Sequence, residues 1–243
     1  MNEFLLVFGI AFVAAALTYL GAPAAESFDV PQYVVSGALQ FAAGIITALV
    51  AFSLMPPAVR GGPAVGIVLG FFVGGALYVA LEYFSAVRLA ARSAPEGGVT
   101  SMGLYIGILV DLVIDGVVIG VGSTLTLGTG FLLALGLAVS TAPLAFVTTA
   151  TAKRQGVAKE HRRLLSYLFV ICIMGGAMLG YGLLRNQPLG IRLVLIALAS
   201  GFLITTVTQS MIPEANRDGE PSFAGVLYIG GLSLYALSTL ASP

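Results

Sequence analysis

The sequence predicts an all-α polytopic membrane protein, a single transmembrane domain of eight helices over residues 1–243. Three observations predict it. Hydrophobic residues make up 58% of the chain and charged residues 9%, which excludes an ordinary soluble domain. Eight apolar segments are each long enough to cross about 30 Å of hydrocarbon. A pattern in the second and third segments returns 157 residues later in the seventh and eighth.

The segments run approximately 4–22, 34–56, 63–86, 102–123, 130–152, 164–184, 190–212 and 222–241. The first begins at Phe4 with no basic run ahead of it, so it reads as a membrane helix rather than a signal peptide. The breaks carry turn chemistry. Pro23 and Pro31 flank the first, and Pro56-Pro57 with Gly61-Gly62-Pro63 make the second. Pro95-Glu96-Gly97-Gly98 lies in the third, Gly128 and Gly130 in a very short fourth, and Pro188 in the sixth. The fifth is a basic loop over 153–163 that holds the single histidine, His161, read as a solvated residue.

Arg88, Arg92, Lys153, Arg154, Lys159, Arg162, Arg163 and Arg217 fall on one side of the membrane, and Arg60, Arg185 and Arg192 on the other. The basic side is expected to be cytoplasmic. Eight spans then put both termini outside a cell (inner) membrane. The net charge is zero and no charge run suggests nucleic acid as a partner; membrane lipid is the expected surroundings. The one cysteine, Cys172, lies in an apolar segment, which excludes a disulfide framework and a thiolate metal cluster.

The repeat is legible residue by residue. Phe41-Ala42-Ala43-Gly44 is followed, twelve residues after its glycine, by Pro56; Leu198-Ala199-Ser200-Gly201 is followed by Pro213 at the same distance. Ser53-Leu54-Met55-Pro56 aligns with Ser210-Met211-Ile212-Pro213, and Gly74-Gly75 with Gly230-Gly231 more loosely. Spans two and seven cross in opposite directions, so the repeat is inverted. That arrangement typifies secondary transporters with a site near the midplane.

The fourth span contains Asp111-Leu-Val-Ile-Asp115-Gly116. Two aspartates spaced i, i+4 share one helix face. A carboxylate at bilayer depth is a functional-site hypothesis by default. No Lys or Arg occupies the centre of any span, so the pair must be protonated, bonded to other helices or paired with a mobile cation. Other polar residues gather in spans two, five and seven. Ser53 is on span two; Ser140, Thr141, Thr148 and Thr149 are on span five with Pro143, which should kink the helix and free a carbonyl; Thr205, Thr206, Thr208, Gln209 and Ser210 are on span seven. Asp111 and Asp115 are the candidate principal ligands. Ser140, Thr141, Pro143, Gln209, Ser210 and Ser53 are candidate secondary groups. The bland alternative is that the hydroxyls bond back to their own helices. Such an oxygen-rich set suits hard cations.

These features resemble the ZIP family of divalent-metal transporters over nearly the whole chain. The family's fourth-span motif, His-Asn-x-x-(Asp/Glu)-Gly, is matched by Asp111-Leu112-Val113-Ile114-Asp115-Gly116, with Asp115 on the acidic ligand, Asp111 in place of histidine and Leu112 in place of asparagine. Its fifth-span motif, His-Glu-x-Pro-(His/Glu), is matched by Ser140-Thr141-Ala142-Pro143-Leu144, which keeps only the proline. The second-span Leu-Leu-Pro-Glu-Ala becomes Leu54-Met55-Pro56-Pro57-Ala58, and the seventh-span Glu-x-Ile-Pro-Glu becomes Ser210-Met211-Ile212-Pro213-Glu214. The resemblance implies an inverted repeat of spans one to three and six to eight around a central pair, four and five. It also implies a homodimer, and alternating-access transport of a divalent metal ion, zinc or another transition metal, as substrate rather than tightly bound cofactor. The substitutions reduce the usual two-metal centre to about one site. The alternatives are a transport-inactive sensor or assembly protein of the same scaffold, and a transporter of another small cationic solute. No enzymatic activity is expected: the one histidine lies outside the spans, and the two aspartates share a helix instead of meeting across a site.

Overall fold

The computed structural model describes residues 3–28, 31–90, 101–216 and 223–241. The expected turn at 95–98, and Arg92 and Arg217, lie outside the described residues. Those residues form helices and turns without a strand. The helices are α1 (Glu3–Ser27), α2 (Gln32–Ala48, continued by a π-helical turn Leu49–Leu54 and a last segment Met55–Gly61), α3 (Ala64–Ala90) and α4 (Ser101–Leu125). Then come α5 (Leu127–Arg154), α6 (Lys159–Leu184), α7 (Leu189–Thr206, a π-helical turn Val207–Met211, then Ile212–Ala215) and α8 (Ala224–Ala241). Among the described residues, α1 to α7 are long and apolar enough to cross a membrane. The eighth is equally apolar and spans 18 residues, or roughly 27 Å at 1.5 Å per residue. The chain is an all-α polytopic membrane protein.

Several boundaries differ from the sequence expectation, each for a local reason. Pro23 lies inside α1. Proline removes one N–H, the donor to the Tyr19 carbonyl, while Gly21, Ala22 and Ala25 stay buried and hold the last turns in place. Pro56-Pro57 do not end α2; they open the segment after the π turn, where first-turn N–H groups need no helical acceptor. Only Thr126 separates α4 from α5, and its side chain caps α5 by accepting from Thr129 N at 3.0 Å. The basic loop is shorter than expected, because Lys159–Arg163 already belong to α6. It is closed by Gly156 at φ 74°, with Gly156 N–H donating to Lys153 O at 3.2 Å and Val157 N–H to Ala152 O at 3.1 Å. This double bond around a left-handed glycine ends a helix sharply.

Four helices, α2, α4, α5 and α7, are the most buried. The others each lean on one of them: α1 on α5, α6 on α4, α3 on α7 and α8 on α2. Exchanging α1 with α6, α2 with α7, α3 with α8 and α4 with α5 leaves this pattern unchanged. The exchange also holds at atomic contacts. A Cβ on Gly74 would run into the Leu198 carbonyl, and one on Gly231 into the Phe41 carbonyl; likewise Gly44 meets the Tyr228 carbonyl and Gly201 the Phe71 carbonyl. Each pair maps onto the other by the same 157 residues. Both π turns fall at positions related by that shift. Ser36 at the start of α2 donates to the Ala215 carbonyl at the end of α7, and Gln40 Nε2 donates to Asn216 Oδ1 at 2.9 Å, so the related helices run antiparallel. Small residues at these crossings bring backbones together, the packing available between helices in lipid.

The face that carries the basic turn is tied together by one ion pair. Arg162 meets Glu26 at the end of α1 through Nε–Oε1 at 2.6 Å and Nη2–Oε2 at 2.9 Å. It also donates to the Val157 carbonyl. His161 beside it is exposed.

Candidate functional site

Residues Asp111 and Asp115 are on the inner face of α4, 8% and 2% exposed. Two constraints put them there. Gly116, Gly120, Gly176 and Gly180 clamp α4 to α6: a Cβ on Gly116 would strike the Ile173 carbonyl, and one on Gly176 the Val113 carbonyl. The fully buried Leu112 fixes the same face inward. Cys172 is half-buried on the other side of α4, in a shallow apolar groove with Leu109, Val110, Val113 and Ile114.

The α4–α5 pair obeys the exchange with a shift of 29 residues. Gly176 abuts Val113 O and Val117 N, and Gly21 abuts Ala142 O and Phe146 N; 29 residues separate Val113 from Ala142 and Val117 from Phe146. The counterpart of Asp111 is therefore Ser140, and that of Asp115 is Leu144. Asp111 lies fifteen residues before the Thr126 turn and Thr141 fifteen after it, so they sit at one depth, near the middle of the bundle. The acids exist on one half of the repeat alone.

The partners of the two carboxyls differ. Thr206 of α7 donates from Oγ1 to Asp111 Oδ1 at 3.5 Å and to its own Phe202 carbonyl at 3.1 Å. Neither oxygen of Asp115 meets a hydrogen-bond partner among the described residues. The Asp111 and Asp115 carboxyls act on each other through space, and Asp111 also acts on the Tyr78 hydroxyl of α3.

The secondary candidates are placed as follows. Ser140 is buried and donates to the Leu137 carbonyl at 2.7 Å. Thr141 donates to the same carbonyl at 2.9 Å and lies 2.8 Å from the Thr18 hydroxyl of α1. Pro143 is inside α5, which stays helical across it. Ser53 pairs with the Tyr235 hydroxyl of α8 at 2.9 Å, while Ser210 is in side-chain hydrogen-bonding contact with Tyr78. Gln209 is exposed. The structure thus joins Asp111 to Thr206 and Tyr78, and it gives the hydroxyls of Ser140, Thr141 and Ser53 partners elsewhere. Thr206 and Tyr78 were not singled out from sequence. The π turn explains the first: a helix that inserts an extra residue rotates everything beyond it, so Thr206 faces Asp111 while Gln209 turns outward. Tyr78 could have been found as the counterpart of Tyr235 under the 157-residue shift.

No group of three or more His, Cys, Asp or Glu side chains converges among the described residues. All nearby donors to a ligand are oxygens, the set that suits hard cations. The chain matches no protein-family model and no curated protein.

Proposed function

We propose that this protein is a ZIP-like secondary transporter, moving a divalent metal cation across the membrane with Asp111 and Asp115 as its principal ligands. The observation that carries the reading is Asp115: a carboxyl buried at bilayer depth, beside a second carboxyl, with both oxygens unpartnered. A structural carboxyl would be bonded to its neighbours. An open pair is what a passing ligand needs.

Charge argues for the valence. Burying net charge costs several kcal/mol per ion even after relaxation. Two ionised carboxylates and one divalent cation sum to zero, and so do two protonated carboxyls. The pair can trade one divalent cation for two protons without leaving net charge in the bilayer. Thr206 would add a hydroxyl oxygen, and water would complete the shell, as for hard cations generally. The inverted repeat supplies two related half-bundles of the kind that rock about a fixed central site. In this reading the basic face is cytoplasmic, both termini are outside, and the ZIP resemblance brings with it a homodimer.

Equilibrium binding with proton release tests the site. Purified protein titrated with Mn2+, Zn2+ or Cd2+ in weak buffer should take up one cation and release up to two protons. The Asp111→Asn/Asp115→Asn variant should do neither. Cation uptake unchanged in that variant would remove the aspartates from the site.

A further inference from the structure

We infer that the seam between α3 and α7 is the aqueous mouth of the Asp111/Asp115 site, opening to the face that carries the basic turn. Glu82 is its outer carboxylate and Tyr78 the group between the two acids. What passes through it rests on the cation reading above; where it opens does not.

The seam is built in register. Gly70 abuts Val194 and Gly74 abuts Leu198, while Gly75 faces the Thr205 hydroxyl. Both contacts are 124 residues apart, so α3 and α7 run parallel. The same register brings Tyr78 to Phe202 and Glu82 to Thr206. The first is observed, an edge-on ring contact at 5.1 Å. The second puts Glu82 level with the hydroxyl that donates to Asp111. Glycines close the seam as far as Gly75; past it, a ring and a carboxylate stand where the small residues were. The Tyr78 hydroxyl reaches Ser210 and lies within electrostatic range of both Glu82 and Asp111. Glu82, Thr208 and Gln209 are exposed there, Tyr78 is half-exposed and Asp111 is buried behind them. An exposed carboxylate within a membrane span is costly in hydrocarbon and tolerable in a water-filled recess.

The related seam on the opposite face shows what is special here. Under the 157-residue shift Glu82 corresponds to Thr239, Tyr78 to Tyr235 and Ser210 to Ser53; under the 29-residue shift Asp111 corresponds to Ser140. Thr239 donates to its own Ala236 carbonyl, and Tyr235 is 5% exposed with its hydroxyl on Ser53 at 2.9 Å. One seam is acidic and partly open. Its counterpart is neutral and shut.

Thiol accessibility tests the inference without relying on transport. In a Cys172→Ser background, single variants Glu82→Cys, Gln209→Cys, Thr239→Cys and Phe72→Cys are reconstituted, and a membrane-impermeant cationic methanethiosulfonate is applied to each face separately. His161→Cys marks the basic face, and Phe72 is an exposed position on the lipid side of α3. Glu82→Cys and Gln209→Cys should react from the basic face alone, at least roughly tenfold faster than Phe72→Cys or Thr239→Cys, because a thiol needs water to ionise. Using two positions guards against one variant misfolding. Reaction no faster than Phe72→Cys at both positions, or reaction from the opposite face, would overturn the mouth. With Mn2+ present the reaction should slow, and Asp111→Asn should abolish that slowing. Labelling from the basic face that Mn2+ leaves unchanged would keep the mouth and count against the cation reading.

Discussion

Replacing Asp115 with leucine should make the empty protein more stable, and this follows from the geometry of its carboxyl. The side chain is 2% exposed and both oxygens lack a partner among the described residues. A buried polar group without a partner costs about 1–3 kcal/mol, and leucine fills a similar volume without that cost. At roughly 2–4 °C per kcal/mol for a chain of this size, Asp115→Leu should melt about 2–12 °C above wild type in chelator. A cation at a hundredfold over its dissociation constant contributes about 2.7 kcal/mol to a protein that binds it. Wild type should therefore gain about 5–11 °C on adding cation, and Asp115→Leu nothing. The assay is size-exclusion chromatography of detergent-solubilised protein after heating, with and without cation. If Asp115→Leu melts several degrees below wild type in chelator, the carboxyl is holding the fold together and the argument from its empty surroundings fails.

Other substitutions test other parts of the account. Thr206→Val removes the one hydroxyl seen to reach Asp111 while keeping the shape, and should weaken cation binding about 5–10-fold, the worth of one hydrogen bond to a charged group, as read by titration. Valine at Gly44, Gly74, Gly201 or Gly231 should abolish monodisperse expression, since each Cβ would collide with a backbone carbonyl of a neighbouring helix. Valine at Gly175, where nothing lies within 4 Å, should express normally. Glu26→Gln and Arg162→Ala should show a coupling of about 1–2 kcal/mol in a thermal double-mutant cycle, because the pair is two-pronged yet its glutamate side chain is 23% exposed. Cation affinity should fall as pH falls, with a slope of up to two protons per cation, because protons and cation compete for the same two carboxyls.

The fold was legible because the bilayer imposes long apolar runs and because the repeat is written in glycines. Gly44 and Gly201 align in the sequence, and in the structure they occupy equivalent crossings against Tyr228 and Phe71. Span ends were less legible, because prolines there are tolerated where packing or a π turn dispenses with an N–H, as at Pro23 and Pro56. The site was legible at Asp111 and Asp115, where a charge in an apolar run has no ordinary explanation. Its surroundings were not. Whether Thr206 or Gln209 faces the acids depends on a π turn that periodicity of 3.6 does not anticipate, and whether Thr141 faces a ligand or Thr18 depends on a helix more than a hundred residues away.

The central claim is that this pair carries a divalent cation across the membrane, and flux tests it most directly. Proteoliposomes of wild type and of Asp111→Asn/Asp115→Asn would be given Zn, Cd, Mn, Fe(II), Co, Ni and Mg in turn. The account predicts uptake of at least one of these by wild type and none by the variant. No uptake of any cation by wild type, in vesicles where a control transporter works, would contradict it.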